Sequence, residues 1–158
     1  MRLTDYTDYA LRTLIYLGLH RDHLVTIREI SDAYGISNNH LTKVAHQLGL
    51  SGLVQTVRGR GGGLRLGREP ADIRLGEVVR LTEPDFNMVE CFDKERSACV
   101  MASACQMKNV LWQATEAWLA VMDAVTLEQV LSNSTRLRKT VAPPLARLIP
   151  LLPEKKTA

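Results

Sequence analysis

The chain has 158 residues, of which 46% are hydrophobic and 23% charged, with a formal net charge of +3. That length and balance fit one globular domain with an attached element and leave enough apolar residues for a core. They exclude two classes: no apolar run is long enough to span a bilayer, and three cysteines cannot all pair within one chain, which argues against a disulfide framework.

Residues from about Leu3 to Leu19 read as a helix. Thr4 caps it, Asp5 sits in its first turn, and Ala10, Leu14, Leu17 and Gly18 form an inward stripe. The polar stretch His20–His23 reads as a turn. Thr26-Ile-Arg-Glu29 spells a capping box, and Ile27, Ile30 and Ala33 give the next helix a short apolar face that Gly35 ends. Ser37 is placed to cap a third helix, in which Leu41, Val44, Ala45 and Leu48 recur at one face before Gly49 and Gly52. Two short helices joined by a glycine turn form a helix-turn-helix pattern. Leu53 to Val57 and Leu64 to Leu66 then alternate like strands around an Arg/Gly turn, Arg58 to Gly63, which makes a β-hairpin wing. Gly61, Gly62 and Gly63 do not form a nucleotide loop, because no Lys-Ser/Thr follows and no strand–loop–helix frames them.

Ile73 to Leu81 reads as a short helix stopped at Glu83-Pro84. The chain from Asp85 to Ala104 is irregular. The longest helix is expected from about Cys105 to Val125. Met107, Leu111, Ala114, Trp118, Val121 and Val125 are spaced as a heptad-like seam, and Val110, Ala117 and Ala124 form a second face. Two apolar faces need two partners, the chain's own winged domain and a second copy. Thr126 caps one more short helix to Leu131, and the proline-rich tail from Val141 is expected to be extended and partly disordered. The fold class is therefore mainly α: a winged helix-turn-helix domain over residues 1–83, a loop over 84–105, a dimerisation helix and short helix over 106–140, and a tail over 141–158. With no signal peptide visible after Met1, a cytoplasmic location is expected.

Two constellations carry chemistry. The third helix turns Ser37, Asn38, Asn39, His40 and Lys43 away from its apolar stripe, and Arg58 and Arg60 stand at the wing tip. The start of a recognition helix reaches base edges: Asn pairs with adenine and Lys donates to guanine or phosphate, while wing arginines suit a minor groove or backbone phosphates. Arg58, Arg60, Arg65, Arg68 and Arg74 together suggest a phosphate-contacting patch. The second constellation is Cys91, Cys99 and Cys105 on or beside the irregular loop. The close Cys-x-x-Cys knuckle usual for structural zinc is absent, and no His follows His46. Iron–sulfur clusters accept more varied thiolate spacing. A thiol redox switch and three unrelated cysteines are the other readings. Nothing resembles a nucleophile–base pair, paired catalytic carboxylates or a cofactor loop, so no enzyme is expected.

The opening Met-Arg-Leu-Thr-Asp-Tyr-Thr-Asp-Tyr-Ala-Leu-Arg, the Arg58 to Leu66 wing and the three-cysteine loop resemble the winged-helix iron–sulfur transcription regulators, over nearly the whole chain to about Asn133. Val89-Glu-Cys-Phe92 is similar to the segment that opens the cluster loop in their nitric-oxide-sensitive branch. The iron–sulfur-assembly branch carries a His where this chain has Lys108. The resemblance implies a repressor that binds a palindromic double-stranded DNA operator as a homodimer and releases it when nitric oxide attacks a [4Fe–4S] cluster, with [2Fe–2S] as the alternative cluster. It also implies that Cys91, Cys99 and Cys105 hold the cluster and that Asp8 of the partner subunit supplies a fourth ligand. Loop alternatives for that ligand are Glu90, Asp93, Glu95 and Ser97, besides solvent. A regulator of iron, cluster supply or redox state, and a metal-binding module without a DNA target, are the competing functions.

Overall fold

A computed structural model describes residues 2–93, 95–133 and 137. Among them the order is α1 (Asp5–Leu19), α2 (Ile27–Tyr34), α3 (Asn38–Leu50), β1 (Val54–Val57), β2 (Gly63–Leu66), α4 (Leu75–Thr82), α5 (Gln106–Ala124) and α6 (Leu127–Leu131), with 3-10 turns at Pro70–Asp72 and Glu90–Phe92. The expectation for the tail after Val141 lies outside the described residues.

Local chemistry sets the helix ends. The Thr4 hydroxyl accepts from the Thr7 amide at the start of α1. Thr26 and Glu29 complete the capping box of α2, and Gly35 closes that helix at φ +68, a left-handed conformation that favours glycine. A second capping box, Thr126 with Gln129, starts α6. At α3 the expectation fails in one respect. Ser37 occupies the N-cap position, but its side chain makes no capping bond, so the hydroxyl stays at an exposed position. Helix α3 also runs through Gly49 to Leu50, since a single glycine costs a helix only about 1 kcal/mol. Helix α4 starts at Leu75 rather than Ile73, because the backbone of Ile73 and Arg74 is still extended.

One core joins these elements. Ala10, Leu14 and Leu17 of α1 meet Ile30 of α2, Leu41, Val44 and Leu48 of α3, and Leu53, Leu64 and Val78. The wing is an antiparallel pair, Val54 opposite Leu66 and Val57 opposite Gly63. A third short stretch joins it: the amide and carbonyl of Val25 exchange hydrogen bonds of 3.0 and 2.7 Å with Leu64. That bridge locks the wing to the start of α2.

The long helix does not stand apart from the winged domain. The Leu75 amide donates to the Val125 carbonyl and the Leu127 amide to the Ile73 carbonyl. The Arg80 guanidinium grips the Asp123 carboxylate through both oxygens, and a Cβ on Gly76 would run into that carboxylate, so α4 and α5 cross closely. Helix α6 then folds back onto α1: Leu127 is buried, and Leu131 packs on Gly18 where any Cβ would collide.

The heptad seam read from sequence is split by this docking. Leu111, Thr115, Trp118, Leu119 and Met122 are buried or half-buried toward the chain's own domain. Met107, Val110, Ala114, Ala117, Val121 and Ala124 are exposed and repeat at 3-4 spacing along the opposite side. The seam had mixed members of both faces.

Candidate DNA interface and cluster loop

On α3, Leu41, Val44, Ala45 and Leu48 are buried, which turns Asn38, Asn39, His40 and Lys43 outward; all four, and Ser37 before them, are exposed. Two tyrosines of α1 hold this helix. The Tyr6 hydroxyl donates to the Lys43 carbonyl at 3.1 Å, and burial raises its pKa, which keeps it a proton donor. The Tyr9 ring stacks on His40, centroids 6.0 Å apart and planes within 23°. Sequence reasoning missed both tyrosines. The available signal was their i, i+3 spacing beside Ala10.

The wing turn needs glycine at Gly59 (φ +110) and Gly61 (φ +76), and a Cβ on Gly62 would strike the Val57 carbonyl. The turn thereby pushes Arg58 and Arg60 into solvent, with no ion pair or hydrogen bond to either side chain among the described residues. The rest of the expected basic patch is engaged internally. Arg65 donates to the Gln55 side chain at 2.8 Å, Arg68 pairs with Glu77, and Arg74 donates to the Ala124 carbonyl. The two wing-tip arginines are thus the members of that patch with no side-chain partner among the described residues.

The cysteines lie where expected. Cys91 is in the 3-10 turn Glu90–Phe92, Cys99 in the loop, and Cys105 immediately before α5. All three are free and half-buried. The loop is tied to α5 by aromatic and sulfur contacts: Phe86 against Trp118 at 6.2 Å, Phe92 edge-on to Trp112 at 5.4 Å, and the Thr115 hydroxyl donating to the Met88 sulfur at 3.0 Å. Among the described residues the thiols are not gathered with other donors into a three-ligand group. The donor set nevertheless fits an iron–sulfur cluster: three soft thiolates on one irregular segment.

The loop's own oxygen donors are unequally available. Glu90 accepts from the Ala98 amide at 2.7 Å, and one Asp93 oxygen accepts from the amides of Glu95 and Arg96. Glu95 is exposed, and the Ser97 hydroxyl oxygen is buried without a hydrogen-bond partner among the described residues. Asp8 lies on the half-exposed side of α1, with both carboxylate oxygens on Arg12: Oδ1 accepts from Nε at 3.0 Å and Oδ2 lies 2.8 Å from the terminal guanidinium nitrogen.

A helix-turn-helix followed by a bridged hairpin, with a long helix docked behind it, is a winged-helix DNA-binding regulator. Residues 3–133 match the Rrf2 family, described as iron-dependent transcriptional regulators, and the chain belongs to that family; it is a transcriptional regulator and not an enzyme. Within the family its likeness is to proteins named HTH-type transcriptional regulator NsrR. The Bacillus subtilis protein is 51% identical over 140 residues, covering 88% of this chain and 96% of the relative. The Bacillus licheniformis protein is 48% identical over 143 residues, covering 90% and 100%. Among solved structures, the global cysteine regulator CymR of B. subtilis matches with a TM-score of 0.68 at 27% identity, over 84% of this chain and 98% of that one. T. potens IscR also gives 0.68, at 24% identity over 85% and 88%, a likeness of fold. Among the described residues no helix is long and apolar enough to cross a membrane.

Proposed function

We propose that the chain is a homodimeric repressor that binds a palindromic operator and releases it on exposure to nitric oxide, sensed through a [4Fe–4S] cluster on Cys91, Cys99 and Cys105. The observation that carries this reading is the set of three free, half-buried thiols on a loop anchored to α5. Ser37, Asn38, Asn39, His40 and Lys43 face the major groove, and Arg58 and Arg60 meet phosphates or the minor groove. The exposed stripe Met107, Val110, Ala114, Ala117, Val121 and Ala124 pairs with its symmetry mate. This division of labour corresponds to residues 1–83 for DNA, 84–105 for the cluster and 106–140 for assembly, in a cytoplasmic protein.

When bound, the cluster supplies an iron that three thiolates leave short of a fourth sulfur, and that iron is the point open to nitric oxide. Asp8 of the partner subunit is the proposed fourth ligand. A carboxylate is a harder, weaker donor for cluster iron than thiolate. To serve, Asp8 gives up at least part of its pairing with Arg12. Glu90 and Asp93 each have one oxygen taken by backbone amides, while both Asp8 oxygens are paired with Arg12, so the choice of Asp8 rests on the resemblance and not on which carboxylate is free. Changes in the loop pass to α5 through Phe92, Met88 and Phe86, and a shift of α5 alters the spacing of two recognition helices that must match half-sites about one helical turn apart.

The test is purification without oxygen, absorption and Mössbauer spectra, and nitric oxide titration with operator binding followed in parallel. Protein with a [4Fe–4S] spectrum that loses both cluster and operator affinity together is expected, and Cys91→Ala, Cys99→Ala or Cys105→Ala should each abolish or badly weaken the cluster. A [2Fe–2S] spectrum, or release by iron starvation but not nitric oxide, would shift the reading to an iron or redox sensor. Zinc in place of iron would defeat it. For Asp8, a heterodimer of an Asp8→Ala chain with a Cys99→Ala chain should keep one site of the wild-type spectrum. Asp8→Ala homodimers with unchanged spectrum and nitric oxide response would remove Asp8 from the ligand set.

A further inference from the structure

On the far side of the wing from its tip, a cleft of about 480 Å³ opens between the end of α1 and the strand β2 with the segment that follows it. Arg21, Arg65 and Arg68 face it, with Glu69, Gln55 and Leu17. Three guanidinium groups against two carboxylates, Glu69 and Glu77, leave the cleft with a net positive charge. Each arginine is held by a separate partner: Arg21 by Glu69 at 2.7 Å, Arg65 by the Gln55 side-chain oxygen at 2.8 Å, and Arg68 by Glu77. These partners fix the side chains but do not use up their donors. The Arg68 Nε–H is buried and has no hydrogen-bond partner among the described residues, an uncommon and costly condition for a donor; an anion in the cleft meets the terminal nitrogens first and reaches Nε–H only as the side chain turns outward. The backbone beneath is rigid: the Gly67 amide donates to the Leu53 carbonyl at 2.9 Å, and a Cβ on Gly67 would strike the Gly52 carbonyl.

We propose that this cleft binds a small dianionic oxyanion, of the phosphate or dicarboxylate type, between Arg65 and Arg68 with Arg21 at its edge. Guanidinium forks match such groups in shape and charge, and pre-set forks lose little freedom on binding. The volume lies in the usual range for small-molecule sites. Duplex DNA is the alternative anion. It suits the unpaired wing-tip cations Arg58 and Arg60 rather than guanidinium groups already oriented by Glu69, Gln55 and Glu77. The inference is independent of the cluster, since none of these residues belongs to the loop.

The experiment titrates the full-length protein with inorganic phosphate, and separately with malonate, at constant ionic strength. The backbone resonance of Gly67 and the Arg68 Nε–H resonance are followed by NMR. Saturable shifts at millimolar or lower concentration, confined to Gln55, Arg65, Gly67 and Arg68, are expected with at least one probe, and the better probe identifies the headgroup. Arg65→Gln, on the exposed face of a hairpin that keeps its backbone pairing, should weaken that binding roughly tenfold or more, whereas Arg58→Gln should leave it unchanged. Absence of a saturable shift with both probes would overturn the proposal. So would an Arg65→Gln protein whose only change is a shallower salt dependence of operator binding, because that result makes Arg65 a DNA contact.

Discussion

Replacing Val121 by Asp tests whether the exposed face of α5 assembles the proposed dimer. Val121 is 62% exposed in the single chain, so the new carboxylate stays solvated there and folding changes by at most about 0.5 kcal/mol. In a twofold dimer joined along the Met107–Ala124 stripe, the substitution enters the interface twice. An uncompensated buried charge costs several kcal/mol even after relaxation. Taking about 3 kcal/mol for each of two copies, the dissociation constant rises by roughly 10⁴-fold. Sedimentation equilibrium should show monomers at micromolar protein with the far-UV helical signal retained, and operator affinity should fall with the dimer. Leu119→Asp supplies the contrast. Leu119 is 6% exposed and packed on its own domain, so a charge there should unfold the chain rather than separate two folded ones. An intact, operator-competent dimer of Val121→Asp would refute the assignment of this face.

The recognition helix and wing should separate by assay. Arg58→Ala or Arg60→Ala should weaken operator binding and reduce its salt slope by about one for each phosphate the protein no longer neutralises, while Asn39→Ala or Lys43→Ala should relax base preference at defined operator positions, read by binding to a set of single-substitution operators. Burial works to raise the pKa of Glu29, but hydrogen bonds from Thr26 and His23 outweigh it and hold the carboxyl below its ordinary value. A lowered carboxyl pKa adds stability that is present above the unfolded value and is lost as pH falls through the folded one. Glu29→Ala should therefore cost about 1 kcal/mol near neutrality, and urea midpoints of variant and wild type should converge as the pH falls below the ordinary carboxyl range and through the lowered folded-state pKa.

Much of the fold was legible because short-range chemistry dictates it. Thr26 and Glu29 cap the same helix they spell in sequence, Gly35 takes the left-handed turn, and the glycines around Arg60 make the wing. What escaped depends on contacts between distant segments. The Val25–Leu64 bridge has no periodic signature because it is a single pair of hydrogen bonds. Along α5, a 3.6-residue period allows neighbouring apolar stripes to be drawn in more than one way, and only docking on α4 shows that Leu111 and Trp118 belong inward while Val110 and Ala117 belong outward. For the candidate site, the wing-tip arginines were legible, but the wider basic patch was not. Charge counting does not reveal that Glu77, Gln55 and the Ala124 carbonyl already engage Arg68, Arg65 and Arg74. The cysteines and their placement on the loop and at the start of α5 were legible, whereas the 3-10 turn that carries Cys91 was not.

The position of α1 explains how one small domain can join DNA reading to a distant loop. Its N-terminal half presents Tyr6 and Tyr9 to α3, so the recognition helix is held by a hydrogen bond to a main-chain carbonyl and a ring stack rather than by core packing alone. One residue from Tyr9, Asp8 points along a different side and pairs with Arg12. Arg12 in turn lies 5.8 Å from the centre of the Tyr34 ring at the end of α2. Thr4 and Thr7 at the start of α1 bond to Glu83 and Thr82, where α4 ends and the cysteine segment begins. At the other end, Gly18 receives Leu131 of α6. If Asp8 serves as the proposed ligand, one helix of 15 residues connects it and the α4 terminus to α3, with no need for the winged domain to unfold. The same geometry limits the effect. Because Leu14 and Leu17 are fully packed and interiors resist deformation, α1 and α3 move as one packed unit, so in the proposed homodimer the expected output is a change in how two intact winged domains are set relative to one another.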